Sequence, residues 1–269
     1  MRPLILIIFI LMSAPGCTKN IFNELGAKNS DKALLYDAEV AVNEQAYDYA
    51  ISIITQRVSA SGQQTAQARE ILASAYAGKC GLNFVDYISS LSSAMSGSSF
   101  VLVKTPFVGK IVAPDACLTS LQTLDLIGTK AQRTQDQNAF AAVVGMVLMG
   151  SATRLYSDDA PANGDGNQDA VNISCTLTNA QIDNVILGYA YMAQNFDALT
   201  SQLGSSTSTT ISDSITTCNS IAGAACSNTD PAQITALLRD TMKDLMNTTQ
   251  YGVGTADGST PVLIAAACP

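Results

Sequence analysis

Ala-Phe-Ala-Ala-Val-Val-Gly-Met-Val-Leu-Met-Gly, residues Ala139–Gly150, is the stretch that decides the fold, because as a helix it is apolar on every side. Such a helix is either buried at the centre of a protein or lies in lipid. Its 12 residues are too few to cross a bilayer. We therefore predict a central buried helix within residues 134–156, with Gly145 and Gly150 permitting close contact with neighbouring helices. Alternatively, this helix lines an apolar cavity for a lipid-like ligand.

The composition of the whole chain favours closely packed helices. Of its 269 residues, 47% are hydrophobic, 13% are charged and none is Trp. The apolar share is carried mainly by Ala, Leu, Ile and Val, and small side chains let helix backbones approach one another. The length is sufficient for one large domain. We predict an all-α domain over residues 31–269.

Two helical hairpins are predicted before the central helix, because apolar residues recur at spacings of three and four. We expect Asp31 to cap the first helix and residues 43–45 to end it. Breaks at Ser59–Gly62 and Gly78–Gly81 separate the later helices. The predicted inward residues are Leu34, Leu35, Ala38, Ala41 and Val42; Tyr47, Ala50, Ile51, Ile54 and Val58; Ala68, Leu72, Ala75 and Tyr76; and Phe84, Tyr87, Ile88 and Leu91.

These hairpins resemble tetratricopeptide (TPR) repeats. Leu72–Tyr76 has the pattern Leu-Ala-x-x-Tyr, and Tyr47–Ile51 is similar to the second-helix signature. Aligning Ala38 with Ala73 gives an offset of 35 (73 minus 38), close to the family period of about 34. The resemblance implies TPR-like hairpins stacked as a short solenoid or bundle, with irregular Ser/Gly/Asn-rich loops. A generic Ala-rich helical bundle is the alternative.

A partial third match follows the central helix. Leu187–Tyr191 fits the first helix of the motif, and Asn195–Leu199 follows it, but Thr200 stands where a small alanine is expected. In this family Tyr76 and Tyr191 would occupy core positions, so the resemblance implies that they pack and do not contact a ligand.

The remaining segments have weaker patterns. We expect a strand-like loop at residues 96–114, a polar loop at 157–176 and a short helix near Ile211–Cys218. Residues 115–132 are predicted to form a helix, and a further helix is expected from an Asp230 cap to about Asn247. Residues 262–265 are expected to be extended or to dock at the end of the domain. The predicted inward residues of the two helices are Leu118, Leu121, Leu124 and Leu126, and Ile234, Leu237, Leu238, Met242 and Leu245.

The first residues resemble a bacterial lipoprotein signal. Met1-Arg2 precedes a short apolar run, and small residues lead to Gly16-Cys17. The match is good at Gly16-Cys17, while Ala14-Pro15 departs from the usual lipobox. An ordinary secretory signal or a short anchor is the alternative. The resemblance implies a signal peptide over 1–16, acylation of Cys17 with palmitate among its chains, and a lipidated tether over 17–30. Thr18, in the place of Asp, implies the outer membrane, with the protein facing the periplasm.

Six cysteines remain after Cys17, and an even number in an exported chain favours disulfide bonds. Fifteen pairings are open. The short separation of Cys218 and Cys226 favours that pair. Cys80 with Cys117 and Cys175 with Cys268 complete the set that we favour.

Charge disfavours nucleic acid as a partner. Residues 18–155 contain 11 Lys or Arg and 11 Asp or Glu, whereas residues 156–269 contain 2 and 11, a net charge of −9 (2 minus 11). Nucleic-acid binding requires a basic surface. An acidic surface suits a cationic partner or divalent ions, or simply keeps an exported protein soluble.

No enzymatic site is predicted. The chain contains no histidine, which excludes Ser–His and Cys–His nucleophilic schemes and, with the absence of Cys-x-x-Cys, disfavours a zinc site. Glu70 is the central helical carboxylate, but its context suits an exposed position beside an ion-pair partner.

One loop suggests a weak structural calcium site. Oxygen-bearing side chains recur at Asn163, Asp165, Asn167 and Asp169, and calcium favours such clusters. Ser174 occupies the position where an EF-hand has its bidentate glutamate. The alternative is an ordinary solvated loop, since Asn, Asp and Gly dominate turns.

Together these patterns predict a membrane-anchored helical-repeat lipoprotein that acts as a protein-binding or assembly scaffold in the bacterial envelope, with an envelope protein as partner. A small-ligand or lipid-binding component of an envelope transport system is the alternative. An envelope hydrolase is a third hypothesis, which requires paired carboxylates in a cleft. These functions rest partly on fold analogy.

Overall fold

A computed structural model describes residues 29–93, 98–201, 203, 205–254 and 268, and within these ranges the protein is helical without a β-strand. The prediction of an all-α fold is confirmed. The α-helices are α1 (Asp31–Asn43), α2 (Tyr47–Gln56), α3 (Ala66–Lys79), α4 (Phe84–Ser93), α5 (Ser99–Lys104), α6 (Pro114–Asp125), α7 (Gln135–Ser157), α8 (Asn179–Asn195), α9 (Ser205–Ala222) and α10 (Ala236–Asn247).

Helix α7 lies at the centre, as the apolar stretch predicts. It begins with a capping box in which Thr134 and Gln137 each bond to the other's backbone. The residues from Ala141 to Ala152 are all buried. Among the described helices α7 is long and apolar enough to cross a membrane by length and composition, but 83% of its most apolar window is buried inside the protein. It is therefore a core helix of this fold.

Two glycines of α7 allow other backbones to approach it. At the crossing with α8, a Cβ on Gly145 would lie 2.8 Å from the carbonyl oxygen of Gly188. At the crossing with α5, a Cβ on Gly150 would lie 2.0 Å from the carbonyl oxygen of Val103. Neither position has room for a side chain, which explains why the apolar stretch contains glycine there.

Helix α5 corrects the prediction of a strand-like loop. Ser98 caps it by accepting a hydrogen bond from the N–H of Val101. Phe100 and Val103 are fully buried and belong to the same core cluster as α7. The aromatic and β-branched composition favours a strand in isolation, but packing against α7 outweighs that preference.

The N-terminal helices pack around their own small core. Its members are Leu34, Leu35, Ala38, Ile53, Ile54, Val58, Ala68 and Ile71. The N-cap of α1 is Ser30 and not Asp31 as predicted. Asp31 instead accepts hydrogen bonds from the N–H and hydroxyl of Ser59, which hold its pKa below the usual value. This contact joins the start of α1 to the segment after α2.

The stacked TPR-like arrangement stays a prediction. Helices α1 and α2 pack as a pair, but α3 makes its most extensive contact with α6. After α8, Phe196–Ala198 forms a 3-10 turn where the third repeat would begin its second helix.

Several predicted element details are wrong. Leu126 and Leu237 are 63% and 59% exposed, although their spacing placed them inward. Helix α9 has 18 residues and is much longer than the predicted Ile211–Cys218. Asp230 caps a 3-10 turn, and α10 begins only at Ala236, after a cap by Thr235.

The six described cysteines lie in three pairs at disulfide distance: Cys80 with Cys117, Cys175 with Cys268, and Cys218 with Cys226. These are the pairs that the sequence favours. The first joins the end of α3 to α6, the second holds the C-terminus beside the segment before α8, and the third closes the turn after α9. The predicted signal peptide, Cys17, most of the tether and the tail at 262–265 lie outside the described residues.

Candidate functional site

A groove of two adjoining cavities lies where the N-terminal helices meet the first turns of α7. The first, the apolar cavity, has a volume of about 270 Å³, and its main walls are Val42, Tyr47, Ala77, Leu82, Phe84 and Phe140. The second, the acidic cavity, has a volume of about 290 Å³ and is lined by residues that include Glu70, Ser74, Leu124, Asp136, Gln137 and Phe140. Ser74 and Phe140 line both cavities, so the two cavities adjoin at these residues.

The packing of Tyr47 on α3 shapes one end of the apolar cavity. A tight turn with Gln45 at φ 61° connects α1 to α2 and brings Tyr47 to the start of α2. A Cβ on Gly78 would lie 2.1 Å from Cε1 of Tyr47, so the ring fits only because residue 78 is glycine. Burial in this contact raises the pKa of the Tyr47 hydroxyl. Lys79 and Asp48 form a surface ion pair beside it, with Nζ and Oδ1 2.6 Å apart.

Phe84 lies at the rim of the apolar cavity. The sequence pattern assigned it to the core, but its side chain is 45% exposed at the first residue of α4. Tyr87, one turn later, is buried and packs against Phe107, with tilted rings whose centroids are 5.5 Å apart. The periodicity of α4 therefore identified the helix, while only the tertiary structure shows that its first apolar residue borders a groove.

The acidic cavity contains two carboxyl groups, from Glu70 and Asp136. Glu70 accepts a hydrogen bond from Nε2 of Gln137. The same Gln137 side chain accepts from the N–H of Thr134, and so couples the cap of α7 to α3. Glu70, the central helical carboxylate of the sequence, thus helps to join α3 and α7, while Asp136 is exposed.

Two other cavities are polar. The larger, about 600 Å³, lies between the end of α8 and α9, where Lys130 pairs with Asp197 at 2.7 Å and holds the pKa of that carboxyl below its usual value. The other, about 320 Å³, contains Asp125 and Tyr191. The Tyr191 hydroxyl donates to Asp125, and burial raises the pKa of that hydroxyl well above its usual value. Tyr191 is thus a buried packing residue with a polar tip.

A buried ion pair supports the loop that was predicted to bind calcium. Lys104 and Asp158 are 1% and 0% exposed, and Nζ lies 2.8 Å from Oδ2. Asp158 also accepts from the backbone N–H groups of Asp165 and Gly166. The hydrogen bonds to the Asp158 carboxylate come from this loop and from Lys104 of α5, so the buried carboxylate organises the loop.

The predicted calcium ligands take part in internal contacts. Asp165 accepts from the backbone and side-chain N–H groups of Asn167, and Asp169 accepts from the backbone of residues 159 and 160. Asn163 adopts a positive φ of 68°, and its carbonyl accepts from Gly109. In the described part of the chain no group of three or more Cys, Asp or Glu residues is placed to hold a metal. The calcium site stays a prediction.

The groove was not predicted, because its two walls are far apart in sequence. The first-turn signature Thr134-x-x-Gln137 indicates where α7 begins, and periodicity indicates that Ser74 lies on the outer side of α3. Neither pattern indicates that these two surfaces face each other. No family model, curated protein or solved structure matches this chain.

Proposed function

We propose that this protein is a membrane-anchored helical lipoprotein that binds a segment of another envelope protein and acts as an assembly scaffold. The groove is the observation that carries the proposal. It combines an apolar cavity, a half-exposed aromatic ring at Phe84 and a polar, acidic end. Aromatic side chains are enriched in protein-binding surfaces, and both Phe84 and Phe140 line this groove.

The anchor in this proposal rests on the N-terminal sequence. Acyl chains on Cys17 would attach the protein to the outer membrane, and the helical body would face the periplasm. Lipid attachment places the groove near membrane proteins, since the tether over 17–30 is short. The resemblance to TPR proteins supports binding of a protein segment, in addition to the groove.

Burial of α7 favours protein binding over the handling of a lipid-like ligand. The ligand hypothesis requires a deep apolar cavity beside α7, but residues 141–152 of that helix are buried. The four cavities described above reach α7 only at residues 136, 137 and 140.

Protein binding is also favoured over hydrolysis. Asp136 is exposed and Glu70 is only half-buried, so neither carboxyl lies in the water-excluded apolar site that a general acid requires.

Site-specific crosslinking in the native envelope tests this proposal. A photoreactive phenylalanine analogue in place of Phe84 is expected to capture one envelope protein reproducibly. Ser74→Leu, which fills the junction of the two cavities, is expected to abolish that product, because Leu suits a helix surface and leaves the fold intact. Cys17→Ser is expected to remove palmitate labelling and to reduce the product by releasing the protein from the membrane.

The control for the crosslinking experiment is a variant with the photoreactive phenylalanine analogue in place of Val171. This residue is 78% exposed and does not line the groove. Equal capture from position 171, or capture from position 84 that Ser74→Leu does not change, would contradict a binding function of the groove.

A further inference from the structure

The groove has a regular register along α3. Glu70, Ser74, Ala77 and Gly78 all line it, at positions i, i+4, i+7 and i+8 of one helix face. Since an α-helix rises about 1.5 Å per residue, Glu70 and Ala77 are about 10 Å apart along the axis. The acidic and apolar ends of the groove are therefore separated by two helical turns.

The charge of the groove has one sign. Its charged lining residues are Glu70 and Asp136. The basic residues next to the lining residues in sequence are engaged elsewhere. Arg69 donates to the carbonyl of Leu126, Lys79 pairs with Asp48, and Arg133 pairs with Asp125. A partner that brings a cation to this end gains two opposite charges and displaces no internal salt bridge of these carboxyls.

The surroundings of the groove favour a helical partner. An extended segment adds to an exposed sheet edge, and the described residues contain no strand. The groove lies between the helices α3 and α7, and an amphipathic helix is the partner that inserts side chains into such a groove at intervals of three, four and seven residues. Ser74 lies midway between the acidic and apolar ends of the groove, and its short side chain leaves room there for a small side chain of the partner helix.

We propose that the partner segment is an amphipathic helix with a bulky apolar residue and a Lys or Arg two turns apart. The apolar side chain enters the apolar cavity beside Phe84 and Phe140. The cation pairs with Glu70 and Asp136. This inference rests on the proposed function and specifies the chemistry of its partner.

Binding of designed helical peptides to the acylated full chain in detergent micelles tests the proposal. Two fluorescent, Ala-rich peptides have the same composition, and each contains one Phe and one Lys. In the first peptide the Lys comes seven residues after the Phe, and in the second it comes nine residues after the Phe. The first spacing places both side chains on one face, and the second places them on opposite faces. By fluorescence anisotropy, the first peptide is expected to bind about five- to tenfold more tightly, since exposed ion pairs each contribute up to about 1 kcal/mol.

Charge variants provide the second part of the test. Glu70→Gln with Asp136→Asn is expected to remove the preference between the peptides. The matched control, Asp213→Asn with Asp240→Asn, makes the same change in net charge at exposed positions that do not line the groove, and is expected to keep the preference. Equal binding of the two peptides, or a preference that the first pair of substitutions leaves unchanged, would overturn the proposal.

The two proposals fail in different ways. If crosslinking from position 84 depends on Ser74 but the peptides bind equally, the binding function stands and the partner is not a basic amphipathic helix. If crosslinking also fails, the function itself is wrong. A dimer in solution that Ser74→Leu dissociates would identify a second copy of this chain as the occupant and would overturn the inference.

Discussion

At the scale of single residues, the burial of Asp244 makes the stability of this protein depend on pH. Asp244 lies on α10, is 7% exposed and accepts a hydrogen bond from the N–H of Cys268 at 2.9 Å. Burial raises the pKa of its carboxyl to about 6, and Asp240 raises it further, while the bond from Cys268 lowers it. The native state therefore holds a proton on Asp244 at pH values where the unfolded chain has released it.

This shift predicts a loss of stability between about pH 4 and pH 6. Because the folded pKa lies above the unfolded value, the native state binds more protons in this window and unfolding becomes easier as pH rises. A shift of two pKa units corresponds to at most about 3 kcal/mol. Asp244→Asn, which keeps the acceptor for Cys268, is expected to remove that loss.

Urea denaturation of the wild type and the variant at pH 4 and pH 7 measures this difference. The wild type is expected to lose more unfolding free energy than Asp244→Asn over the same pH interval. Parallel pH profiles for the two proteins would show that the burial of Asp244 is not the cause.

At the scale of elements, the contact between α5 and α7 depends on Gly150. A methyl group there would meet backbone atoms of Val103, which belong to α5 and have no flexible end to move away. We expect Gly150→Ala to destabilise the protein by about 1–3 kcal/mol, the usual cost of overpacking. The loss should appear in thermal unfolding and in faster amide exchange along α5.

Gly223→Ala is the control for this substitution. Gly223 has a φ of 65° and nothing within 4 Å of its added Cβ. The strain of that conformation is about 1 kcal/mol and is partly offset by the reduced freedom of the unfolded chain. A loss at Gly150 no greater than that at Gly223 would mean that the two helices can separate without cost.

Element boundaries were predictable where the chain carries its own capping residues. Thr134 and Gln137 form the capping box of α7, and Thr65 caps α3 with its side chain. The prediction is wrong at α5, because packing of Phe100 and Val103 on α7 overrides local preference. It is also wrong at the start of α9, where hydroxyls such as that of Thr209 bond back to carbonyls four residues earlier and the helix continues through a polar stretch.

At the scale of the whole molecule, the cysteine pairs join segments that are far apart in the chain. The sequence separations are 93 for Cys175–Cys268, 37 for Cys80–Cys117 and 8 for Cys218–Cys226. Longer loops lose more entropy when they are closed, so the stabilising effect should follow that order.

Replacing each pair by alanines should therefore lower the unfolding free energy by about 4.7, 3.8 and 2.5 kcal/mol respectively. Chemical denaturation of the three double variants measures the series. The variant without Cys218–Cys226 serves as the internal control, because the bond that it lacks closes the shortest of the three loops. A larger loss for this variant than for the other two would contradict loop closure as the main source of stabilisation.

The sequence by itself determined that the chain is helical and that Ala139–Gly150 is central, because hydrophobic periodicity and a fully apolar helix are local properties. It also indicated the order of most helices and a favoured set of cysteine pairs. The tertiary structure alone decided that α3 packs on α6, that α5 is a helix and that Phe84 borders a groove. These features depend on which distant surfaces meet, and that choice is made by side-chain packing across the whole fold.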